Sequence, residues 1–178
     1  IKKKTNKKFV EVKHISSKKI YEKSKKKIYP LIEYLGDVGL DTCFLHIEFK
    51  IIRDKIEIIE INPRLCGGNL PSLINYSLKI DLIKNFIKLL KNKNIHKNLF
   101  KKNFENIECA IFYIIPKRNK KIKNVKFKRI NSICETKIYK DKLINFLKIQ
   151  NNFEDRIGHI IYKDKKISNI NSYYKINY

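Results

Sequence analysis

The spacing of apolar residues divides the chain into extended and helical segments. Residues 43–52 and 56–62 alternate apolar with other side chains, which predicts two β-strands. Residues 20–35 and 81–91 carry apolar side chains three or four positions apart, which predicts two helices, and Asp81 is a good N-cap for the second. After these helices the pattern changes to short β-like runs, so we expect an α+β protein.

A polar, lysine-rich stretch at residues 91–106 is a natural linker between these two patterns. We therefore expect two parts, residues 1–92 and residues 107–178. The second part should be a small unit of β-strands that ends in a short helix or tail.

The two predicted strands are close enough in sequence to form an antiparallel hairpin. With Asp54 at the centre of the turn, Glu48 faces Glu60 and His46 faces Asn62. Since side chains alternate along a strand, all four point to one side of the sheet, and the other side is apolar. Two carboxylates then lie directly opposite each other, with their Cβ atoms about 5 Å apart.

Facing carboxylates destabilise a hairpin unless a shared proton, a basic partner or a bound cation compensates. Asn62 adds a neutral oxygen on the same side, and oxygens of this kind are ligands that Mg²⁺ takes beside phosphate oxygens. Arg64 lies just past the strand end, and Gly67 and Gly68 allow a ligand to approach the backbone. The pattern indicates a divalent metal held between carboxylates and nucleotide phosphates. The alternative is a solvated face on which both carboxylates pair with lysines.

The formal net charge of +24 favours nonspecific attraction to polyanions. Lysines are spread along the whole chain, whereas sequence-reading nucleic-acid sites use arginine forks and stacked aromatic rings. We expect no specific nucleic-acid partner, although a basic polyanion-binding module stays an alternative.

Several other classes of protein lack support in the sequence. The four cysteines form no CxxC pair, so neither a zinc nor a redox site is indicated. His46 and Glu48 spell the HxE of zinc deaminases, but the PCxxC that this class requires is absent. No apolar run approaches the roughly 18 residues of a membrane span, and no signal core follows the lysine-rich start. We expect a cytoplasmic protein without a membrane partner.

Residues 45–49 (LHIEF) and 58–68 (IIEINPRLCGG) closely resemble the final strands of ATP-grasp carboxylate–amine ligases, nearest to the L-amino-acid ligase branch. Residues 9–14 resemble the strand before a helix in these ligases, and residues 155–161 resemble a segment of the small domain that follows. The resemblance implies the C-terminal half of an ATP-grasp domain, an antiparallel sheet with helices, followed by a small β-rich domain.

The resemblance also implies roles for individual residues. Glu48, Glu60 and Asn62 are expected to hold Mg²⁺, or Mn²⁺, on the phosphates of ATP. Arg64 is expected to stabilise phosphoryl transfer to a substrate carboxylate, after which an amine displaces phosphate from the acyl phosphate to form an amide or peptide bond.

Four further residues are substrate-binding candidates by the same resemblance: Glu11, His14, Gly67 and Gly68. Each also has a structural interpretation, because Glu11 and His14 can be ordinary strand or loop residues and the glycines can simply form a turn. Structural roles are the expectation for Arg156 and His159.

The family's adenine-binding strands and phosphate-contacting lysine lie upstream of the segments that this chain matches. The chain contains no Met and begins at Ile1, so we expect it to work with an upstream half of the enzyme. A noncatalytic remnant that keeps the fold without turnover is the other hypothesis.

Overall fold

The computed structural model describes residues 2–5, 8–91, 107–117, 119–144, 153–165 and 173–178. The chain forms two compact units. The hairpin unit is Ser16–Asn106, and the terminal unit combines Ile1–Ile15 with Ile107–Tyr178. The first fifteen residues thus group with the C-terminal segment, whereas we expected them in a part spanning residues 1–92.

The structure contains the two helices and the two hairpin strands that the sequence predicts, together with further elements. The first half of the chain contains β1 (Lys2–Thr5), β2 (Lys8–Glu11), β3 (Lys13–Ser16), α1 (Lys18–Leu35), β4 (His46–Ile52), β5 (Lys55–Asn62), α2 (Leu70–Leu78) and α3 (Leu82–Leu90). The second half contains β6 (Glu108–Ile114), β7 (Asn124–Phe127), β8 (Ile133–Ile138), α4 (Lys140–Ile144), β9 (Gly158–Asp164) and β10 (Tyr174–Asn177). None of the described helices is both long and apolar enough to cross a lipid bilayer.

Helix α1 begins at a side-chain cap and passes through a proline. The Ser17 hydroxyl accepts a hydrogen bond from the Ile20 amide at 3.3 Å, which satisfies one amide of the first turn. Pro30 lies within the helix without ending it. A π-helical turn, Gly36–Leu40, follows, and Gly39 adopts a φ of 95° that favours glycine.

The core of the terminal unit is a four-stranded sheet in the order β3-β6-β9-β8. Both central strands are apolar along most of their length, and β6 is buried from Cys109 to Ile114. The amide of Tyr113 also donates to the carbonyl of Val12 at 3.0 Å. This sheet is the reason why the first residues of the chain belong to the terminal unit.

The end of the chain is a strand, so the predicted short C-terminal helix or tail is wrong. Strand β10 pairs with β7 in an antiparallel ladder. Tyr174, Ile176 and Tyr178 pack against the buried core. Their period of two suits a strand rather than a helix.

Asp81 is the N-cap of helix α3, as predicted, and its carboxylate accepts from the Lys84 amide at 2.9 Å. Some of its apolar side chains are buried and others are exposed to solvent. Leu82 is buried, whereas Ile87 and Leu90 are exposed. Within the described residues, the helix therefore buries only part of the apolar surface that its sequence provides.

Gly158, at the start of β9, passes close to β8. A Cβ built on Gly158 would collide with the carbonyl oxygen of Lys137 and lie 2.9 Å from the Cδ1 of Ile138. Since both neighbours belong to a paired strand, we expect Gly158→Ala to lower the free energy of unfolding by about 1–3 kcal/mol in urea titrations followed by circular dichroism. Gly36→Ala is the control, because a Cβ there meets nothing within 4 Å; an equal loss in both variants would contradict this account.

Candidate functional site

Strands β4 and β5 form the hairpin that carries the candidate metal site. Their register pairs Glu48 with Glu60 and His46 with Asn62. Cross-strand partners share a face, so the four side chains lie together on one side of the hairpin. The predicted opposition of the two carboxylates is confirmed.

The tip of the hairpin differs from the prediction. Arg53 and Asp54 have φ values of 46° and 68°, and Ile52 pairs with Lys55. These are the features of a two-residue type I′ turn, whereas we expected a turn centred on Asp54 in which Ile52 faces Ile56. Type I′ turns favour Asn-Gly and Asp-Gly, so Arg-Asp gives no strong signal for this turn in the sequence.

A β-bulge restores the predicted register at the carboxylates. The pairing shifts between Glu48 and Phe49, and Ile59 is the extra residue on β5. A bulge places two residues opposite one, so it absorbs the residue by which the shorter turn shifts the register. The two errors in the predicted path of the hairpin therefore cancel at the site.

Helix α1 holds the hairpin tip through Lys27. Its ammonium group donates to the carbonyl and to the carboxylate of Asp54, each at 2.8 Å. This ammonium holds the pKa of the Asp54 carboxyl below its usual value. The contact supports a left-handed backbone conformation that a residue with a side chain adopts only at a cost.

Three side chains on this face have the spacing of a metal site. Ligand atoms of His46, Glu48 and Glu60 lie within 4.8 Å of one another. The side-chain amide of Asn62 donates to the Glu60 carboxylate at 2.7 Å and so helps to orient it. His46 was not among the predicted ligands, although the alternation of side chains that places it on this face was readable in the sequence.

Neither of the two facing carboxylates has a lysine or arginine partner among the residues that the structure describes. In the part of the chain that the structure describes, Glu48 has an ion pair only with His46, at 3.9 Å, and neither acid has a Lys or Arg partner within 4.0 Å. One buried atom of this face, the Nδ1 of His46, has no hydrogen-bond partner among the described residues. Two carboxylates, an amide and an imidazole fit a divalent cation such as Mg²⁺ or Mn²⁺.

The loop after β5 brings Arg64 and Gly67 together. The Arg64 amide donates to the Asn62 carbonyl at 2.8 Å, and its guanidinium donates to the Leu65 carbonyl at 2.9 Å. A Cβ on Gly67 would lie 3.9 Å from the Arg64 guanidinium, an ordinary contact. Gly68 has a φ of 61°, so the turn itself explains this glycine.

The other two predicted substrate residues, Glu11 and His14, are neighbours in the terminal unit. The Nε2 of His14 lies 3.6 Å from the Oε2 of Glu11. The guanidinium of Arg156 donates to the same oxygen at 3.0 Å. The structure thus adds Arg156 to the pair of Glu11 and His14. No local sequence pattern indicates this contact, because 145 positions separate Arg156 from Glu11.

His159 and Cys66 carry reactive side chains, but their surroundings suit structural roles. His159 is buried, and its ring nitrogens lie 2.9 Å from the hydroxyl of Tyr139 and 2.9 Å from the carboxylate of Glu135. Burial raises the pKa of the Cys66 thiol in the loop after β5, so this thiol is a weak nucleophile at neutral pH. All four cysteines are free.

No protein-family model and no curated protein sequence matches the chain. Its structure is similar to phosphoribosylglycinamide synthetase from Anaerococcus prevotii, with a TM-score of 0.78 and 19% identity over 98% of this chain and 47% of that protein. It is also similar to L-amino acid ligase from Bacillus licheniformis, with a TM-score of 0.73 and 14% identity over 96% of this chain and 44% of that protein.

Both of these proteins are ATP-grasp ligases. The chain therefore has the fold of the C-terminal half of an ATP-grasp ligase, as predicted. It spans less than half the length of either structure that it resembles.

The two loop glycines offer a test of which one the backbone requires. Gly68→Ala places a side chain at positive φ and should lower the free energy of unfolding by about 1–2 kcal/mol. Gly67→Ala meets only an ordinary contact, at 3.9 Å, and should leave the thermal midpoint unchanged. Melting curves of both variants check this, and a larger loss for Gly67→Ala would show that its neighbourhood is tighter than described.

Proposed function

We propose that the chain supplies the metal- and phosphate-binding part of an ATP-dependent carboxylate–amine ligase. The observation that supports this most directly is the facing pair Glu48 and Glu60, which has no lysine or arginine partner among the described residues. On this fold, a cation bound with ATP accounts for two acids that would otherwise repel each other.

The side chains of the hairpin unit suit the first half-reaction. Glu48, Glu60 and Asn62 would hold Mg²⁺ or Mn²⁺, with His46 beside them. When bound, the cation neutralises charge on the phosphate oxygens during phosphoryl transfer. Arg64 supplies a further positive charge next to Gly67, where the added space permits a ligand to approach.

The proposed reaction proceeds through an acyl phosphate. A carboxylate oxygen of one substrate attacks the γ-phosphorus of ATP, and ADP leaves. The amine of a second, amino-acid-like substrate then attacks the acyl carbon, loses a proton and displaces inorganic phosphate. Glu11 and His14 are the residues that we assign to the substrate side of the enzyme.

We further propose that an upstream half of the same enzyme completes the nucleotide site. The shares of the two similar structures that this chain covers, 47% and 44%, leave room for such a half. The hairpin unit also exposes large apolar side chains on several elements, among them Ile32, Ile59, Ile87 and Leu90. Exposed apolar surface of this kind is often covered by another protein segment.

Glu60→Gln separates a metal site from a structural ion pair. Removing one charge should weaken Mn²⁺ binding, measured by electron paramagnetic resonance titration of the chain. In the complete enzyme, ADP release driven by amino acids should fall by about two to three orders of magnitude. Stability of the metal-free chain should stay equal or rise by up to about 1 kcal/mol, because the repulsion between facing acids is relieved.

Glu57→Gln is the matched control, since Glu57 is an exposed acid on the same strand that pairs with Lys50 in the ladder. It should change neither Mn²⁺ binding nor ADP release. A lower melting temperature for Glu60→Gln with unchanged turnover would instead indicate a structural role for this acid. Mn²⁺ binding by the unmodified chain without any turnover in the complete protein would favour the noncatalytic remnant.

A further inference from the structure

Arg156 connects the last third of the chain to the predicted substrate residues. Its Nη2 donates to the Oε2 of Glu11 at 3.0 Å, and the Nε2 of His14 lies 3.6 Å from the same oxygen. Because both side chains approach the same oxygen, the Glu11 carboxylate can adopt few orientations. Arg156 therefore restricts where the Glu11 carboxylate can lie, and it affects His14 through the contact of His14 with that carboxylate.

Tyr113 contacts both of the side chains that approach the Glu11 carboxylate, Arg156 and His14. The Arg156 guanidinium carbon lies 4.0 Å from the centroid of the Tyr113 ring, within cation–π range. The ring of His14 meets the same tyrosine edge to face, with centroids 5.7 Å apart. Tyr113 is only 7% exposed and lies in the central strand β6, so this platform is rigid.

The backbone around Arg156 is fixed by the same sheet. The amide of Ile157 donates to the carbonyl of Ile114 at 3.0 Å, immediately before β9 begins. On the other side, Asp155 is buried. The guanidinium is thus presented from a fixed point of the sheet rather than from a loose loop, as a positioning residue requires.

The guanidinium is not fully satisfied as a structural ion would be. Its Nε is buried and has no hydrogen-bond partner within the described ranges, although buried arginine donors are usually paired. Glu11 keeps 30% of its side chain exposed. Solvent can therefore reach this carboxylate if Arg156 is removed, and we expect the fold to survive that removal.

We propose that Arg156 is a positioning residue that holds Glu11 and His14 in the geometry that binds the amino-acid substrate. The inference rests on the proposed ligase function, and it extends the substrate subsite to a residue of the C-terminal segment. Arg156 acts through Glu11 and is not itself assigned a contact with the reacting atoms.

The test is a kinetic comparison in the complete enzyme, with the L-amino acid that gives the fastest ADP release as the probe. Arg156→Gln should raise the KM for this amino acid about tenfold or more and leave the KM for ATP and the thermal midpoint unchanged. Arg156→Lys should recover part of the loss, because it keeps a charge but not the planar fork. Lys13→Gln is the control, since it removes another cation–π contact of the terminal unit, between Lys13 and Phe112 at 5.1 Å.

A double-mutant cycle with Glu11→Gln completes the test. If Arg156 acts through Glu11, the double variant should be no worse than Glu11→Gln alone. Additive losses, or a normal KM for Arg156→Gln beside an impaired Glu11→Gln, would overturn the positioning role and leave the ligase proposal intact. A fall in the thermal midpoint together with a raised KM for ATP would show a merely structural arginine. Absence of amino-acid-driven ADP release in the unmodified complete enzyme would overturn the ligase proposal itself.

Discussion

The opposition of two like charges across the β4–β5 hairpin is the constraint on which the rest of the candidate site depends. A direct cross-strand pair of carboxylates costs about 0.2–1 kcal/mol when nothing compensates. The alternation of side chains between the two faces of the hairpin specifies the register that creates this pair. A slip of one residue would move Glu48 to the opposite face, where Ile47 pairs with Ile61 and Phe49 with Ile58. These apolar cross-strand pairs favour the register that holds the acids opposite each other.

The hairpin also shows which structural features the alternation of side chains predicts and which it does not. Alternation predicted the face that holds Glu48, Glu60 and Asn62, because that information is local. It did not predict the bulge at Ile59, since Ile58 and Ile59 are both apolar and either one can serve the apolar face. The sequence also did not indicate the type I′ turn. The residues with left-handed backbone conformation are Arg53 and Asp54, rather than a dipeptide that contains glycine.

Long-range pairing is the other feature that the sequence could not indicate. Strand β3 lies beside β6, which is close to a hundred residues further along the chain. No periodicity or turn signal records such a partner, because each strand carries only its own pattern of burial. The grouping of the first fifteen residues with the C-terminal segment, and the meeting of Glu11 with Arg156, both follow from this one pairing.

The two candidate subsites use acidic residues in opposite ways. Glu11 has an arginine at 3.0 Å, so its charge is compensated within the protein. Glu48 and Glu60 have no such partner in the described residues, in a chain that contains 41 Lys and Arg against 17 Asp and Glu. With basic side chains so abundant, one within reach of the facing acids would be the ordinary outcome of surface chemistry. Lys50 is two positions from Glu48 on the same strand, yet its ladder partner is Glu57. A pair of acids without a basic partner among the described residues of so basic a chain is what the proposed cation site would explain.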